Sequence, residues 1–575
     1  MKSTLLTILL LLTGNVFAQW TSDPNSNTLI CNVNNAQLLP KIAHTSTGET
    51  YITWFDGRSG NLDVYLQKLD INGNAQFATN GLLISSNPQN SWIGDYDIEV
   101  DAGDNLIITF SDRRGAGGGD TTINPYAYKI SPSGTFLWGP NGIALSNVTA
   151  TYQLWPKVSI ASDGNLFFTW WEQLDTTSSI MTQRVSPNGN LLWAQPVKIS
   201  PAPSDKNIYP NNAPSDNGSV LVSWCFGPQG GGSFVPDIKT IFVRKLDSTG
   251  AAVWTDSIFS KNTPDIPPYV VPHVVPDGNG GAYFSWMYSR NLNVLTSGVQ
   301  RISSSGTLSF PPNGVDVSTD SNLNQVEPNI GVDQSGNIYA FWLGSNMNQN
   351  AYGLFGQKIS PAGTRLWTDT GKTFIPLTSA EAPINILVNT NGNDVYVTYV
   401  LDTIGNKDRI EGYRLDNDGN VIWGPKGIST LLSEKSDMVG YNRDGAAVYT
   451  WMDNRGTMAQ GSGIWAQSIN SSGILGTVGV SITSSQVPDK YSLGQNYPNP
   501  FNPTTNIRFE IPVKGFVKLA VYDMLGREVK TLVNKELNAG SYNAELSGGD
   551  LTSGIYFYTL NAGDFSETKR MVLIK

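Results

Sequence analysis

One aromatic landmark, repeated eight times, constrains this chain more than any other feature. A large aromatic residue closing a β-like run stands at Trp54, Phe110, Trp170, Trp224, Trp286, Trp342, Tyr399 and Trp451, at intervals of 52 to 62 residues. A turn glycine follows each, at Gly73, Gly134, Gly189, Gly250, Gly306, Gly363, Gly419 and Gly473. From glycine to the next aromatic the spacing is 35 to 37 residues in six of seven steps, whereas from aromatic to glycine it varies from 19 to 26. Such self-similarity marks a repeat array and takes precedence over local patterning. One half of the unit is rigid, and the length variation falls between its second and third strands.

Each unit holds four strand-like segments, illustrated by Lys157–Ala161, Leu166–Trp171, Ile180–Val185 and Leu191–Ile199, with Gly, Asp, Asn and Ser turns between them. Four-stranded units repeated radially predict an all-β chain with an eight-bladed β-propeller. A β-solenoid is the alternative, but its usual repeats are shorter and its stack needs capping ends. The segment Gln19–Ile30, with Trp20, mimics the outermost strand that precedes Pro156 and Pro210 in later units. Repeat eight has only the degenerate Gly473-Ile474-Leu475-Gly476 in that place, so the N-terminal strand is expected to complete it. With 58 Gly, 32 Pro, 16 Trp, 23 Tyr and 15% charged residues, the composition is that of a large all-β secreted protein. A net charge of −10 without Lys/Arg clusters argues against nucleic acid or an anionic membrane as partner.

Chemistry-bearing residues are sparse. Two His and two Cys in 575 residues all but exclude a His-based catalytic dyad and a multi-His zinc site and exclude a Cys-rich metal site, and no metal or cofactor is expected. His44 and His273 read as structural. Cys31 and Cys225 fall in distant repeats, beyond the ~7 Å Cα separation that a disulfide tolerates. Asp416-Asn-Asp418-Gly419-Asn420 lacks the downstream Glu of a calcium loop and reads as a turn. The runs Gly115–Gly119 and Gly230–Gly232 lack a following Lys-Ser/Thr and read as loop tips.

The suggestive constellation follows the aromatic landmarks. Asp56 and Arg58, Asp112 and Arg114, and Asp453 and Arg455 stand at +2 and +4 in repeats one, two and eight, which become neighbours when a ring closes. Guanidinium forks bind carboxylates and sugar hydroxyls, and Trp92, Trp155 and Trp171 offer stacking faces. The six residues therefore form a candidate ligand-binding arc for an extracellular carbohydrate or peptide. The competing reading is that each Asp pairs with its own Arg and braces the turn. A sialidase-like or other glycosidase is the enzymatic alternative; the Asp-box of sialidases is absent, since Ser186-Pro-Asn-Gly189-Asn-Leu-Leu-Trp193 places its Gly one residue early.

The C-terminal segment is a separate small all-β module. Asn506–Ile511, Phe516–Tyr522, Glu528–Val533, Ser541–Leu546, Ile555–Leu560 and Glu567–Ile574 cluster β-formers between turns, and Pro498, Pro500, Pro503 and Pro512 exclude a helix at its start. An immunoglobulin-like sandwich is predicted. The motifs NYPNPFNPTTNIRF (Asn496–Phe509), VYDMLGREV (Val521–Val529) and SGIYFYTL followed by KRMVLIK resemble the C-terminal sorting domain of the type IX secretion system. The residues that carry the resemblance are Asn496, Pro498, Pro500, Phe501, Tyr522, Asp523, Gly526, Arg527, Gly554, Tyr556 and Lys575. It implies the type IX outer-membrane export machinery as partner and a secreted or cell-surface location, and it transfers no catalytic residue.

Met1–Ala18, with Lys2, the apolar run Leu5–Leu12 and Val16-Phe17-Ala18, reads as a cleavable secretory signal, too short to anchor in a bilayer; no later stretch has the ~20 apolar residues of a span. The expected organisation is signal peptide 1–18, propeller 19–484, linker 485–505 and sorting domain 506–575.

Overall fold

The computed structural model describes residues 20–574 except 88–94, 115–121, 150, 175–176, 201–205, 228–237, 262–265, 268–270, 292–293, 393, 404, 444–445, 456–460, 477–479, 485–487, 503, 538 and 549–550. The expected signal segment, Trp92, both glycine runs and Lys575 lie outside the described residues. Those described are all-β: apart from one three-residue 3-10 turn, Asp216–Gly218, every regular element is a strand. No described helix is long and apolar enough to cross a membrane.

The strands form ten four-stranded antiparallel sheets among the described residues. Repeat one is Gln37–His44, Thr50–Asp56, Asp63–Leu69 and Leu82–Ser85, paired in sequence order. Six further repeats follow the same plan. Repeat eight contributes only Lys435–Arg443, Ala446–Asp453 and Gly463–Asn470, and its fourth strand is Thr28–Cys31, with Thr28 opposite Ala466 and Leu29 opposite Trp465. The first strand of each repeat packs beside the first strand of the next, and that of repeat eight packs back against Gln37–His44. The N-terminal strand thus sits in the position that the degenerate segment after Gly473 leaves open.

The turn-glycine marker has a physical cause in a second set of aromatics, distinct from the landmarks. The turn glycine of one repeat lies under an aromatic from the outer strand region of the repeat before it. A Cβ on Gly189 would stand 2.8 Å from Cδ1 of Trp138, one on Gly306 2.9 Å from Cδ2 of Trp254, and one on Gly419 2.4 Å from Cζ2 of Trp367. All three glycines have φ between +77° and +87°, a conformation that side chains disfavour. The indole N–H groups then donate to the same turns: Trp138 to Pro187 O at 3.2 Å, Trp193 to Ser248 O at 3.2 Å and Trp254 to Ser304 O at 3.0 Å. A third-strand cation often reaches the same carbonyl, as Arg184 does with Ser248 O at 2.8 Å and Lys245 with Ser304 O at 3.0 Å. At the junction of repeats eight and one the aromatic is Trp20, which would meet a Cβ on Gly73 at 2.5–2.7 Å and donates to Ile71 O at 3.1 Å. There Arg443 adds bonds to Gly48 O at 2.7 Å and Ile71 O at 3.1 Å.

The remaining two sheets belong to the C-terminal unit. One runs Val480–Ser484, Gly540–Ser547, Thr504–Ile511, Ser492–Leu493; the other runs Glu528–Leu537, Gly515–Tyr522, Gly554–Ala562, Phe565–Leu573. They enclose a single core that includes Ile507, Phe509, Val517, Leu519, Tyr542 and Tyr558. Val480–Ser484 lies before the 484/485 boundary expected from the sequence, yet it pairs with Gly540–Ser547 inside this unit.

Candidate ligand-binding cavity

Each of the three Asp/Arg pairs is closed on itself. Arg58 grips Asp56 through Nε to Oδ1 at 2.9 Å and Nη2 to Oδ2 at 2.6 Å, donates to Asn80 O at 2.9 Å, and lies 3.9 Å from the Tyr65 ring centre. Arg114 does the same with Asp112, at 3.0 and 2.6 Å, with Asn141 O at 2.6 Å and with the Tyr126 ring at 3.8 Å. Arg455 holds Asp453 Oδ2 at 2.5 Å, donates to Ser26 O at 3.1 Å and stacks 3.9 Å from Trp465. The three carboxylates are buried, at 0, 1 and 1% exposure. Burial opposes the ionisation of Asp56 and Asp453, but the bonds from Arg58 and Arg455 outweigh it and hold both below the usual carboxylate range.

The Asp at +2 has a further task. It accepts the indole N–H of its own landmark, Trp54 at 2.8 Å and Trp451 at 2.9 Å. Where the +2 residue is not Asp, at Trp170, Trp224, Trp286 and Trp342, the buried indole N–H has no hydrogen-bond partner among the described residues. A buried donor left unpaired is costly, so the Asp serves the strand end as well as the Arg.

A different site lies among the first strands of the repeats. The first strands enclose a cavity of about 810 Å³ to which all eight repeats contribute. Repeats eight, one, two and three supply Asp437, Lys41, Asp97 and Lys157; repeats four to seven supply Asn211, His273, Glu327 and Asn385. None of the six Asp/Arg residues lines it. The side chains are placed by a β-bulge: the pairing slips by one residue after Leu38, Leu154, Ile208, Val326, Ile384 and Ser436. The next residue in each case is a non-glycine with positive φ, between 48° and 59°. Bulges re-aim side chains, and strained conformations of this kind gather at functional sites.

The cavity's charges are unevenly compensated. Asp95, beside Asp97, bridges Lys41 at 2.6 Å and Lys157 at 2.5 Å. Burial opposes its ionisation, but Lys157 and Lys41 prevail and hold it far below the usual range. Asp97 accepts the Val158 N–H at 3.0 Å, yet burial pushes its carboxyl up. The desolvating surroundings likewise raise Glu327, whose side chain still meets solvent, and the half-buried Asp437, and lower His273 to about 4, so the imidazole is neutral near pH 7. His273 Nδ1 is buried with no hydrogen-bond partner among the described residues, unlike the satisfied structural histidine expected from sequence. His44 is of that kind: its ring stacks on Tyr441 at 4.5 Å and Nδ1 lies 3.2 Å from Thr45 O. Cys31 and Cys225 are both buried and free. Asp416 Oδ1 accepts the N–H groups of Asp418 and Asn420, as in a turn. Among the described residues no group of three or more His, Cys, Asp or Glu is placed to hold a metal ion.

In the C-terminal unit, Asn496 is buried and donates to Pro498 O at 3.1 Å and Thr505 Oγ1 at 3.0 Å. Phe501 sits in the core and exchanges backbone bonds with Val572 and Ile574. Asp523 and Arg527 pair across an exposed turn at 2.7 Å, Gly526 carries φ +74° there, and Tyr556 donates to Thr552 O at 2.8 Å. Tyr522 ends the strand that precedes this turn, and Gly554 begins the strand of Tyr556. Pro498 and Pro500 lie in the segment that leads to Phe501.

Residues 495–575 match the family model described as the secretion system C-terminal sorting domain. The C-terminal unit is therefore a type IX sorting domain, and the chain is secreted or displayed at the cell surface by way of the outer membrane. No curated protein matches the chain. Among solved structures it is similar to polysaccharide lyase Uly1, at 9% identity and a TM-score of 0.40, over 77% of this chain and 91% of that one. It is also similar to PorZ, described as a bacterial surface component of the type IX secretion system of Porphyromonas gingivalis, at 12% identity and a TM-score of 0.34, over 93% and 75% of the two chains. A protein of unknown function from Dyadobacter fermentans matches at 12% identity and a TM-score of 0.31, over 55% and 94%.

Proposed function

We propose that this protein is an extracellular binding or adhesion protein. In this reading its body is an eight-bladed β-propeller closed by its N-terminal strand, carried outward by an immunoglobulin-like sorting domain, and it binds a carbohydrate or peptide in the axial cavity. The carrying observation is that cavity, whose polar lining comes from every repeat, including three bulge residues held in a strained backbone conformation. Concave sites of this size, with a few convergent polar groups, are where ligands bind. The Asp/Arg pairs are proposed as braces that keep the strand ends in place, because their hydrogen-bonding capacity is already directed inward.

A glycan-processing enzyme is the second reading. Glu327 and Asp437 favour it, since both line one cavity and both are carboxyls raised by partial desolvation, and a general acid needs a raised carboxyl. Glycan and peptide arrays, run beside a panel of glycosidase substrates, separate the two. Asn211→Trp fills the cavity; loss of array binding at an unchanged melting temperature is the expected result. Binding that survives this substitution would remove the axial cavity as the site.

A further inference from the structure

The landmark tryptophan of repeat six keeps its place but not its partner. Trp342 stands opposite Phe355 as Trp54 stands opposite Tyr65. The two ring pairs stack alike, at 6.3 Å and 18° against 6.0 Å and 19°. In both repeats Cη2 is the indole atom that a Cβ on the glycine before the fourth strand, Gly371 or Gly81, would meet first. The indole of Trp342 therefore points its N–H as Trp54 does, toward the residue at +2. In repeat one that residue is Asp56, which accepts the N–H at 2.8 Å. In repeat six it is Gly344, where a Cβ would stand 2.4 Å from the Phe355 ring, so position 344 has no room for an Asp. Trp342 is 1% exposed, and its N–H has no hydrogen-bond partner among the described residues.

A cavity of about 70 Å³ opens against this indole. It lies where the Arg58 guanidinium sits in repeat one, between Tyr65 and Asn80 O. The corresponding Phe355 and Thr370 line it, and Asn346, at +4, bonds Asn350 Oδ1 at 2.7 Å instead. Most other polar groups in its lining are engaged. Ser318 Oγ donates to Thr370 O at 3.0 Å; Gln325 Nε2 donates to Asp320 O at 3.3 Å while its Oε1 accepts the Ser297 N–H at 3.2 Å. Asp320 Oδ1 accepts the Asn322 N–H at 2.8 Å, and its Oδ2 accepts nothing from a described residue. The indole N–H, Asp320 Oδ2 and the exposed Thr373 hydroxyl are what is left, and no cation is among the lining residues.

That set selects the ligand. A hydroxyl can accept from the indole and donate to Asp320. A carboxylate or phosphate would meet Asp320 without a counter-charge, and an ammonium group has nothing to offer the indole N–H. Whole-ligand pockets measure ~300–1,000 Å³, so this one takes an arm of a larger molecule. Leu323, Phe355 and Trp342 give a methylene its apolar walls, while the exposed Thr370 and Thr373 can share hydrogen bonds with the ring that carries the arm. We propose that this cavity, between the segment leaving repeat five and the strands of repeat six, is a subsite for the hydroxymethyl group of a neutral hexose, whose oxygen accepts from Trp342 Nε1 and donates to Asp320. Trp342 does not line the axial cavity, and the subsite does not rest on that assignment.

Nitrogen NMR of the indole groups in the full mature chain tests it, the Trp342 cross-peak being identified by its loss in Trp342→Phe. The probes are the methyl glycosides of glucose, galactose and mannose, each against the deoxy form that lacks only the hydroxymethyl oxygen, with methyl glucuronoside and the tripeptide glycyl-seryl-glycine beside them. At least one hexoside should shift the Trp342 peak saturably and about tenfold more tightly than its deoxy form. Asp320→Asn, which keeps the acceptor for the Asn322 N–H, should weaken that hexoside by about threefold or more at an unchanged melting temperature. The paired comparison in the unmodified chain does not depend on how the variant folds. A Trp342 peak that no hexoside moves, the cavity then holding water only, overturns the proposal, and so does an equal response to the deoxy forms. Tighter binding of the glucuronoside overturns the neutral hydroxyl, and a response to the tripeptide in place of the hexosides overturns the sugar.

Discussion

An arginine that stacks on an aromatic ring and grips a buried carboxylate with two nitrogens has its polar surface occupied before any ligand arrives. That is the state of Arg58 and Arg114, while Arg455 holds its Asp through one nitrogen under a tryptophan. Exposed pairs of this kind contribute only about 0–1 kcal/mol, but orphaning a buried partner costs roughly 3–5 kcal/mol. Arg114→Ala leaves the buried Asp112 without its main partner, so the body should lose about 3 kcal/mol or more in urea denaturation. Ligand binding by the remaining folded fraction should be intact. A loss of ligand binding with full stability would return the three pairs to the role of a binding arc. The sequence shows the Asp-x-Arg pattern plainly. It cannot show where the guanidinium turns, because that depends on Tyr65, Tyr126 and Trp465 on the facing strand, and on the carbonyls of Asn80 and Asn141 in a later loop.

At the scale of the element, the turn glycine and the outer-strand aromatic of the preceding repeat are one device, which is why a glycine recurs at that turn in every repeat. The aromatic must span from an outer strand to the next turn, and only a residue without a side chain fits beneath it. Gly419→Ala places a Cβ 2.4 Å from Trp367 at φ +77°. It combines left-handed strain of about 1–2 kcal/mol with overpacking of about 1–3 kcal/mol. Gly526→Ala meets nothing within 4 Å at φ +74° and carries the strain alone. Denaturation midpoints should therefore fall further for Gly419→Ala than for Gly526→Ala, each measured on the transition of its own unit. Equal losses would mean that the stack contributes nothing. These contacts recur, so the all-β character and the four-stranded antiparallel unit were legible in the sequence. The bulges were not. Their left-handed residues are Leu, Trp, Tyr, Glu, Asn and Asp, chemically unlike one another, and a one-residue slip decides which side chains face the axis. The Pro that follows four of them, as in Glu327-Pro328-Asn329 and Trp155-Pro156-Lys157, is the signal that marks the place.

The whole molecule joins two units at a seam that lies earlier than the prolines suggest. Val480–Ser484 precedes the Pro-rich segment, so composition assigns it to the repeats; its hydrogen bonds run to Gly540–Ser547 in the sorting unit. The repeat body has its closing strand from the other end of the chain, Thr28–Cys31, with Trp20 stacked on Gly73, and it needs nothing beyond Gly476 to complete its eighth sheet. Two truncations should therefore behave differently. A chain ending at Gly476 should fold with the melting behaviour of the body and collect in the periplasm, because the sorting domain that directs export is gone. A chain ending at Gln495 should also be retained, but it carries Val480–Ser484 and Ser492–Leu493 as strands stripped of their sheet, and unpaired strands of that kind recruit other chains. Cell fractionation with size-exclusion chromatography of the periplasmic protein distinguishes them: monomer for the first, association for the second. Normal arrival of either truncated chain at the surface or in the medium would show that the export signal lies outside the C-terminal unit, and monomeric behaviour of the longer one would place Val480–Ser484 with the body after all.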